Sequence, residues 1–550
     1  MSSFFTIPNG QKKRKRTDAP DSSTKKRSFK TSTRDETFKT TPKPSQRDDS
    51  ISGSDDDSDD DVREVQEESE NSSDGEEETA AERRLRLAER YLSNIRTEVD
   101  DHGFDAEEID RDLIAERLQE DVAESKGRMY RTLAGELQFE QASYSWFKSN
   151  TASITSIATC TPYAYTVSKD LWLVKWRIQE LPKDQWKPKK GKKQKKPPPP
   201  PKRKPDMIQS VRGDMRREKD SSYKGHTDAI LTVAASEDGN FVVTGGKDRK
   251  IIVWDAQSLT PLRTFSQHRD AVTGLAFRRG TNQLYSSSKD RTVKVWSLNE
   301  LAYVETLFGH QDEVVDIAAL AQERCISVGA RDRTARLWKV AEETQLVYRG
   351  GGGEKRSKGK ALEGSMDRVA MIDDEMFVTG GDNGSICLWT IHKKKPMFTL
   401  ALAHGVDPVM ASDDASAETD PAKRSVPEPQ PRWITSLATI PYSDVVLSGS
   451  WDGCLRAWRV SSDKKKLEPM GIVASAKPAE ENGASQANGE GHFAVAGAIN
   501  DISLFERGER GKDGVCVVIA VGKQLRMGGW KRKAAGGKDA SVVFEIPRVA

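Results

Sequence analysis

The sequence predicts an all-β chain folded as a seven-bladed propeller, preceded by a disordered tail and a short charged helical segment. Three observations predict it. His226, His268 and His310 stand 42 residues apart, as do Asp248, Asp290 and Asp332. Trp254, Trp296 and Trp338 keep the same interval, each six residues after its aspartate. Weaker copies bring the blade-closing tryptophans to seven: Trp176, Trp254, Trp296, Trp338, Trp389, Trp458 and Trp530. A 42-residue period with a Gly-His start and a Trp finish is the signature of the WD repeat, one four-stranded blade per copy.

The chain opens on two zones of opposite charge. Residues 1–47 carry 13 Lys or Arg against 4 Asp or Glu, and residues 48–78 carry 16 Asp or Glu against Arg63 alone. Neither zone has enough apolar surface to offset the entropy of ordering the chain, so 1–78 reads as disordered. Two basic clusters, Lys12-Lys13-Arg14-Lys15-Arg16 and Lys25-Lys26-Arg27, have the form of a bipartite nuclear import signal. The acidic run either screens basic surfaces and RNA-binding partners or simply solubilises. Its serines, Ser52, Ser54, Ser58, Ser72 and Ser73, are candidate phosphorylation sites.

Residues 79–150 read as a charged helical extension. Leu85, Tyr91, Leu92 and Ile95 recur at helical spacing, as do Ile109, Leu113, Ile114, Leu118 and Val122. Asp105 with Glu108 forms a capping box, and Phe104 with Ile109 a hydrophobic staple. Such narrow stripes between charged flanks suit helices that lean on another surface.

Residues 151–550 read as the propeller. The tryptophan indole is a donor that needs a partner when buried. In the second and third repeats His226 with Asp248 and His268 with Asp290 supply a network that Thr244 or Ser286 joins to Trp254 or Trp296. In the fourth, His310, Asp332 and Trp338 recur, but the same offset puts Val328 at the hydroxyl position, so a shorter network is expected there. Asp170 with Trp176 and Asp452 with Trp458 mark further blades, and Asn383 precedes Trp389. Loop inserts are expected at 183–206, 351–364, 405–431 and 461–491. The first holds eleven Lys or Arg, a polybasic arm for RNA or for nucleolar retention. Ring closure is left open between Ser541–Ile546 and a segment near Leu133–Phe139.

Several chemistries are excluded. The histidines and aspartates recur in register with the repeat, which makes them architecture, and no single repeat carries a unique catalytic set. No cofactor and no metal site is expected. The five cysteines, Cys160, Cys325, Cys387, Cys454 and Cys516, stand singly without CxxC spacing and read as buried free thiols. Gly350–Lys360 looks like a phosphate loop, but Gly353 and Gly359 are separated by five residues rather than four and Ala361 replaces the magnesium-binding hydroxyl. No apolar run approaches the roughly 20 residues of a membrane helix, so a soluble intracellular protein without a membrane partner is expected.

The turns between the second and third strands carry a more particular signal. They read Lys247-Asp248-Arg249, Lys289-Asp290-Arg291 and Arg331-Asp332-Arg333. In a propeller these turns share one face, so three consecutive blades present six cations on one rim. The fold does not require a base on both sides of the aspartate, and the pattern suits a phosphate backbone. On the same rim Trp451 is expected to be exposed, to stack on a base or to anchor a protein partner.

Three blocks carry a family resemblance, Glu89–Asp100 with Asp110–Leu137, Ser327–Gly350, and Thr379–Trp389, of which the first two are not predicted by generic repeat consensus. On these the chain, from roughly residue 85 onward apart from the inserts, resembles the WD-repeat family of the U3 small nucleolar ribonucleoprotein. The resemblance implies a non-catalytic scaffold of that particle and of the small-subunit processome. It implies binding to the box B/C region of U3 RNA, in 18S pre-rRNA processing and ribosome biogenesis. The implied partners are a small kink-turn-binding protein, the box C/D core proteins and processome components. The implied location is the nucleolus of the nucleus, and the chain is expected to be monomeric within the particle. The alternative from another class is a substrate receptor of a cullin-type ubiquitin ligase or another nuclear protein–protein interaction propeller, but of the blade-closing tryptophans only Trp254 is followed by Asp, and Ala256-Gln257 breaks the WDxR pattern. A histone-tail reader would need an acidic or aromatic channel mouth, against the basic rim.

Overall fold

A computed structural model describes residues 129–148, 152–185, 200–220, 222–350, 364–409, 428–473, 497–508, 511–528 and 538–549, with 117–118, 426 and 495 beside them. The import clusters, the acidic run and most of the expected helical segment lie outside these residues; Arg117 and Leu118 alone among the latter's described positions are helical.

The described chain forms seven four-stranded antiparallel sheets, the blades of a propeller. Blades 1 to 6 span 154–212, 230–265, 272–308, 314–349, 366–400 and 434–472, each with strands a to d running outward from the central channel. Strand b is buried along most of its length in every blade, as in Phe241–Gly246 and Val445–Ser450. Such strands read as continuous Val, Leu, Ile and small-residue runs because neighbouring blades cover both faces. The core is accordingly distributed between blades: Val243, Ile251, Val253 and Phe265 of blade 2 pack with Val272, Leu284 and Trp296 of blade 3. Each strand a carries one bulge at its start, as at Ile230/Thr232 and Met366/Arg368. The bulge sets Ser156, Thr232, Gly274, Asp316, Arg368, Ser436 and Asp501 at one level of the ring.

Blade 7 joins the two ends of the propeller. Its strands are Ala498–Arg507, Gly514–Gly522, Ala540–Ile546 and, outermost, Ser143–Phe147. Tyr144 pairs with Phe544 and Trp146 with Val542. The C-terminal segment therefore supplies strand c, while closure comes from 143–147, inside the stretch that the sequence assigns to the helical extension. Leu133–Phe139 is not a strand. Leu133, Ala134, Leu137 and Phe139 are buried and pack on the cluster shared by blades 6 and 7. Trp530, expected to close this blade, lies outside the described residues; the position in strand c that matches the other blade-closing tryptophans is Phe544. Phe544 pairs with Val517, and Ile519 pairs with Val542. These positions match Trp254 and Thr244 of blade 2, so blade 7 replaces the polar contact with an apolar one.

The expected insert 461–491 is also shorter, because Leu467–Ile472 is strand d of blade 6. All five cysteines are free; Cys325, Cys454 and Cys516 are buried, and Cys160 and Cys387 only half-buried.

Candidate nucleic-acid interface

The turns between strands b and c are held by a repeated polar network. In blade 2, Trp254 Nε1–H donates to Thr244 Oγ1 at 2.8 Å, and His226 Nε2 lies 2.7 Å from the same oxygen. His226 Nδ1 sits 3.0 Å from Asp248 Oδ2. A carboxylate only accepts, so Nδ1 carries the hydrogen and Nε2 accepts from the threonine hydroxyl. Blade 3 repeats this with His268, Asp290, Ser286 and Trp296. Burial pushes the His268 imidazole below its ordinary range, consistent with a neutral ring. Burial also opposes ionisation of Asp290, but hydrogen bonds from His268, Thr292 and the Arg269 N–H outweigh it and hold the carboxyl well below the usual range.

Blade 4 has a full network, contrary to the expectation built on Val328. Ser327 accepts from Trp338 Nε1 at 2.7 Å and lies 2.8 Å from His310 Nε2. Ser327 is 11 residues before its tryptophan, where Thr244 and Ser286 are 10 before theirs. One extra residue in the b–c turn shifts the sequence offset, while the register keeps the serine opposite Arg336, two before the tryptophan. Blade 6 has the fourth complete network, with His404, Ser448, Asp452 and Trp458. Sequence reasoning missed His404. It precedes Asp452 by 48 residues against 22 in the other blades, because the insert at 405–431 separates it from strand a. Blades 1 and 5 keep the Trp176–Thr166 and Trp389–Thr379 bonds, with no histidine joining them among the described residues.

The same aspartates shape the rim. Asp248 Oδ1 accepts the Lys250 N–H, and Asp290 and Asp332 do the same for Thr292 and Thr334. This folds the intervening residue into a left-handed conformation: Arg249 at φ 66°, Arg291 at 67° and Arg333 at 52°. Blades 5 and 6 use Gly384 and Gly453 at the equivalent site. A side chain there is strained by about 1 kcal/mol relative to glycine.

The six cations of the rim are not equivalent. Arg249, Arg291 and Arg331 are exposed and make no ion pair among the described residues. Lys247 pairs with Asp228 at 3.8 Å and half-buried Lys289 with Glu313 at 2.9 Å. Arg333 is half-buried. Lys169 occupies the matching position in blade 1, outside the three-turn pattern legible in sequence. Its Nζ donates to Gln524 Oε1 and the Leu525 carbonyl, tying the b–c connection of blade 7 to blade 1. Trp451 differs from its expected exposure: it is half-buried, its Nε1–H donates to Asp407 at 3.1 Å, and its ring lies 4.9 Å from Trp433. Trp433, which no sequence signal singled out, is the more open of the pair at 37% exposure.

Charge also fills the channel. Arg368 donates through Nε to the Thr435 carbonyl and through Nη2 to the Asn500 carbonyl, and lies 3.6 Å from Asp316. Arg526, buried, reaches the Val315 carbonyl from the b–c connection of blade 7. Asp501 bonds Ser156 across the closing joint. Among the described residues no group of His, Cys, Asp and Glu is placed to hold a metal ion.

The family described as WD domain, G-beta repeat matches residues 217–255, 259–297, 302–339 and 425–459. These stretches end one residue past the tryptophans of blades 2, 3, 4 and 6, the blades with complete networks. Ribosomal RNA-processing protein 9 of Saccharomyces cerevisiae is 36% identical over 538 residues, covering 84% of this chain and 88% of that protein. U3 small nucleolar RNA-interacting protein 2 of Mus musculus is 35% identical over 459 residues, covering 83% and 80%. The crystal structure of RRP9 WD40 repeats superposes with a TM-score of 0.56 at 31% identity, covering 75% of this chain and 100% of that one. None of these names points to a ubiquitin-ligase receptor.

Proposed function

The chain belongs to the family of Ribosomal RNA-processing protein 9 and U3 small nucleolar RNA-interacting protein 2, and from that premise we propose that it is a non-catalytic scaffold subunit of the U3 small nucleolar ribonucleoprotein. It binds U3 RNA at the box B/C region beside a kink-turn-binding protein, and acts in 18S pre-rRNA processing within the small-subunit processome. One observation carries the reading: the similarity runs over 84% of the chain, far beyond the four stretches that match generic repeats. The import clusters Lys12–Arg16 and Lys25–Arg27 fit a nuclear and nucleolar location.

The RNA-facing surface in this reading is the b–c rim of blades 2 to 4. Two features support it. Arg249, Arg291 and Arg331 make no ion pair among the described residues, and Arg249, Arg291 and Arg333 each follow an aspartate that holds the turn. Arginine also occupies the left-handed site in three adjacent blades, although glycine fits that conformation without strain and two other blades use it. The Trp433–Trp451 pair borders the same face.

The test is crosslinking and sequencing of RNA bound to the tagged full chain in cells, beside an Arg249→Glu, Arg291→Glu, Arg331→Glu variant. Wild type is expected to recover U3 RNA at the box B/C region, and the variant to lose it. Recovery by both would move the RNA surface off the rim. Recovery of no discrete RNA by wild type would overturn the scaffold role.

A further inference from the structure

The face opposite the b–c rim carries a second recessed site. Where the strands a end, the channel opens into a cavity of about 880 Å³. Its size is within the 300–1,000 Å³ typical of sites that enclose a ligand. Arg131, Arg278, Arg279, Lys512 and Arg548 line it against Glu237 and Glu506. The lining charge is +3, and the Glu136 and Glu323 carboxylates that pair with Arg548 and Arg278 from behind the wall leave a local excess of +1. Phe277 and Phe505, both half-buried, give it an apolar floor.

Regular blade geometry does not account for this wall. Arg131 and Arg548 come from segments outside the blades, and the fold spends several contacts on placing them. The Arg131 N–H donates to the Tyr442 carbonyl at 2.8 Å, and Asp444 Oδ1 accepts the N–H groups of Leu133 and Ala134. The Val549 N–H donates to the Glu136 carbonyl, while Arg548 Nε pairs with the Glu136 carboxylate at 2.5 Å. The Arg131 guanidinium is in turn held by Glu506. Arg278 is fixed through Nε to the Ala321 carbonyl at 3.0 Å, and Arg279 through Nε to Glu237 at 3.3 Å. A guanidinium has five donors, and anchoring one edge pre-orients the rest. The result is a concave basic wall around phenylalanine, the residue mix of a protein interface core.

We propose that this mouth binds a protein partner in trans through an acidic peptide segment that inserts a bulky apolar side chain between Phe277 and Phe505. Charge complementarity selects the carboxylates, and the apolar floor selects against a ligand that offers charge alone. The proposal is independent of the RNA reading, which concerns the other face.

The test uses the full chain and a fluorescein-labelled peptide of alternating Glu and Phe, followed by anisotropy at low salt. Binding is expected, with at least a tenfold loss in an Arg279→Glu, Lys512→Glu variant whose melting temperature matches wild type. An Arg249→Glu, Arg291→Glu variant is expected to bind as wild type does. A labelled all-Glu peptide is expected to bind at least tenfold more weakly than the Glu-Phe peptide. No binding, equal affinity for the all-Glu peptide, or no loss in the Arg279→Glu, Lys512→Glu variant would overturn the proposal. So would tight binding of a labelled oligouridylate that this variant abolishes, which would make the mouth a nucleic-acid site.

Discussion

Replacing Ser327 by alanine tests the reading of blade 4 directly. The Ser327 hydroxyl is shared by Trp338 Nε1–H and His310 Nε2, at 2.7 and 2.8 Å, and is fully buried. Ser327→Ala therefore strands one donor and one acceptor away from water. Each buried orphan costs about 1–3 kcal/mol, so the loss is about 2–6 kcal/mol. For a cooperative unit of about 400 residues the unfolding entropy is about 0.8 kcal/mol/K, and a 3 kcal/mol loss lowers the melting temperature by about 4 °C. The assay is urea and thermal unfolding followed by tryptophan fluorescence. In the Trp338→Phe background one orphan is already gone, so the same substitution should cost about 1–3 kcal/mol less. Val328→Thr should not rescue Ser327→Ala, because Val328 faces the other side of the strand. If Ser327→Ala shifts the midpoint by less than 1 °C, or Val328→Thr restores it, the network is not built as described.

Stability should also fall with acid. Burial holds the His268 and His404 imidazoles below their ordinary range, while unfolded imidazoles take up a proton near pH 6.5, so their contribution is complete above about pH 6.5 and lost below it. Asp248, Asp290, Asp332 and Asp452 are also depressed, against the burial that opposes it, and their contribution is lost below about pH 4. Asp367, pushed up to about 6 by burial, acts in the opposite sense between about pH 6 and 4. The melting temperature should thus drop from pH 7 to 5, and a rise over that interval would refute the sign. Binding of a box B/C RNA fragment should weaken with salt, and the Arg249→Glu, Arg291→Glu, Arg331→Glu variant should reduce the log–log slope by about 2–3; an unchanged slope would remove these residues from the phosphate contacts. A chain shortened to begin at Ser149 loses strand Ser143–Phe147 and the buried Leu133–Phe139 segment, and should fail to give a cooperative transition, whereas one beginning at Gly127 should melt as the full chain does.

The parts of the fold legible in sequence are those where every spacing stayed constant. Thr244 and Ser286 were readable because each lies four residues before its aspartate. Ser327 lies five before Asp332, and that single residue moved the apparent hydroxyl site onto Val328. His404 was hidden by an insert placed between the histidine and its strand. In blade 7 both members of the Trp–hydroxyl pair became apolar, as Phe544 and Ile519, so Trp530 drew the assignment by type alone. The closing strand carries no local mark of its partner, since Ser143–Phe147 pairs with residues some 400 positions away, and pairing at that distance is decided by tertiary packing. The channel arginines and the basic mouth share this property. Arg368, Arg526, Arg131 and Arg548 are unremarkable in their own stretches, and only ring closure brings them together.

The rim and the blade network are one device. A carboxylate such as Asp290 orients His268, accepts the Arg269 N–H and caps the turn at Thr292, and in doing so forces Arg291 into its left-handed pose. Recurrence in register therefore accounts for the aspartate, the histidine and the tryptophan, but not for the bases on either side. Blade 6 makes the point within the same chain. It has the full network with Trp451 and Gly453 around its aspartate, and no cation at either site. The network can be built without the arginines, and the arginines sit in a conformation that glycine adopts more easily. Their presence on adjacent blades is thus a property added to the scaffold, and it separates the basic arc of blades 2 to 4 from the aromatic pair of blade 6 on one face.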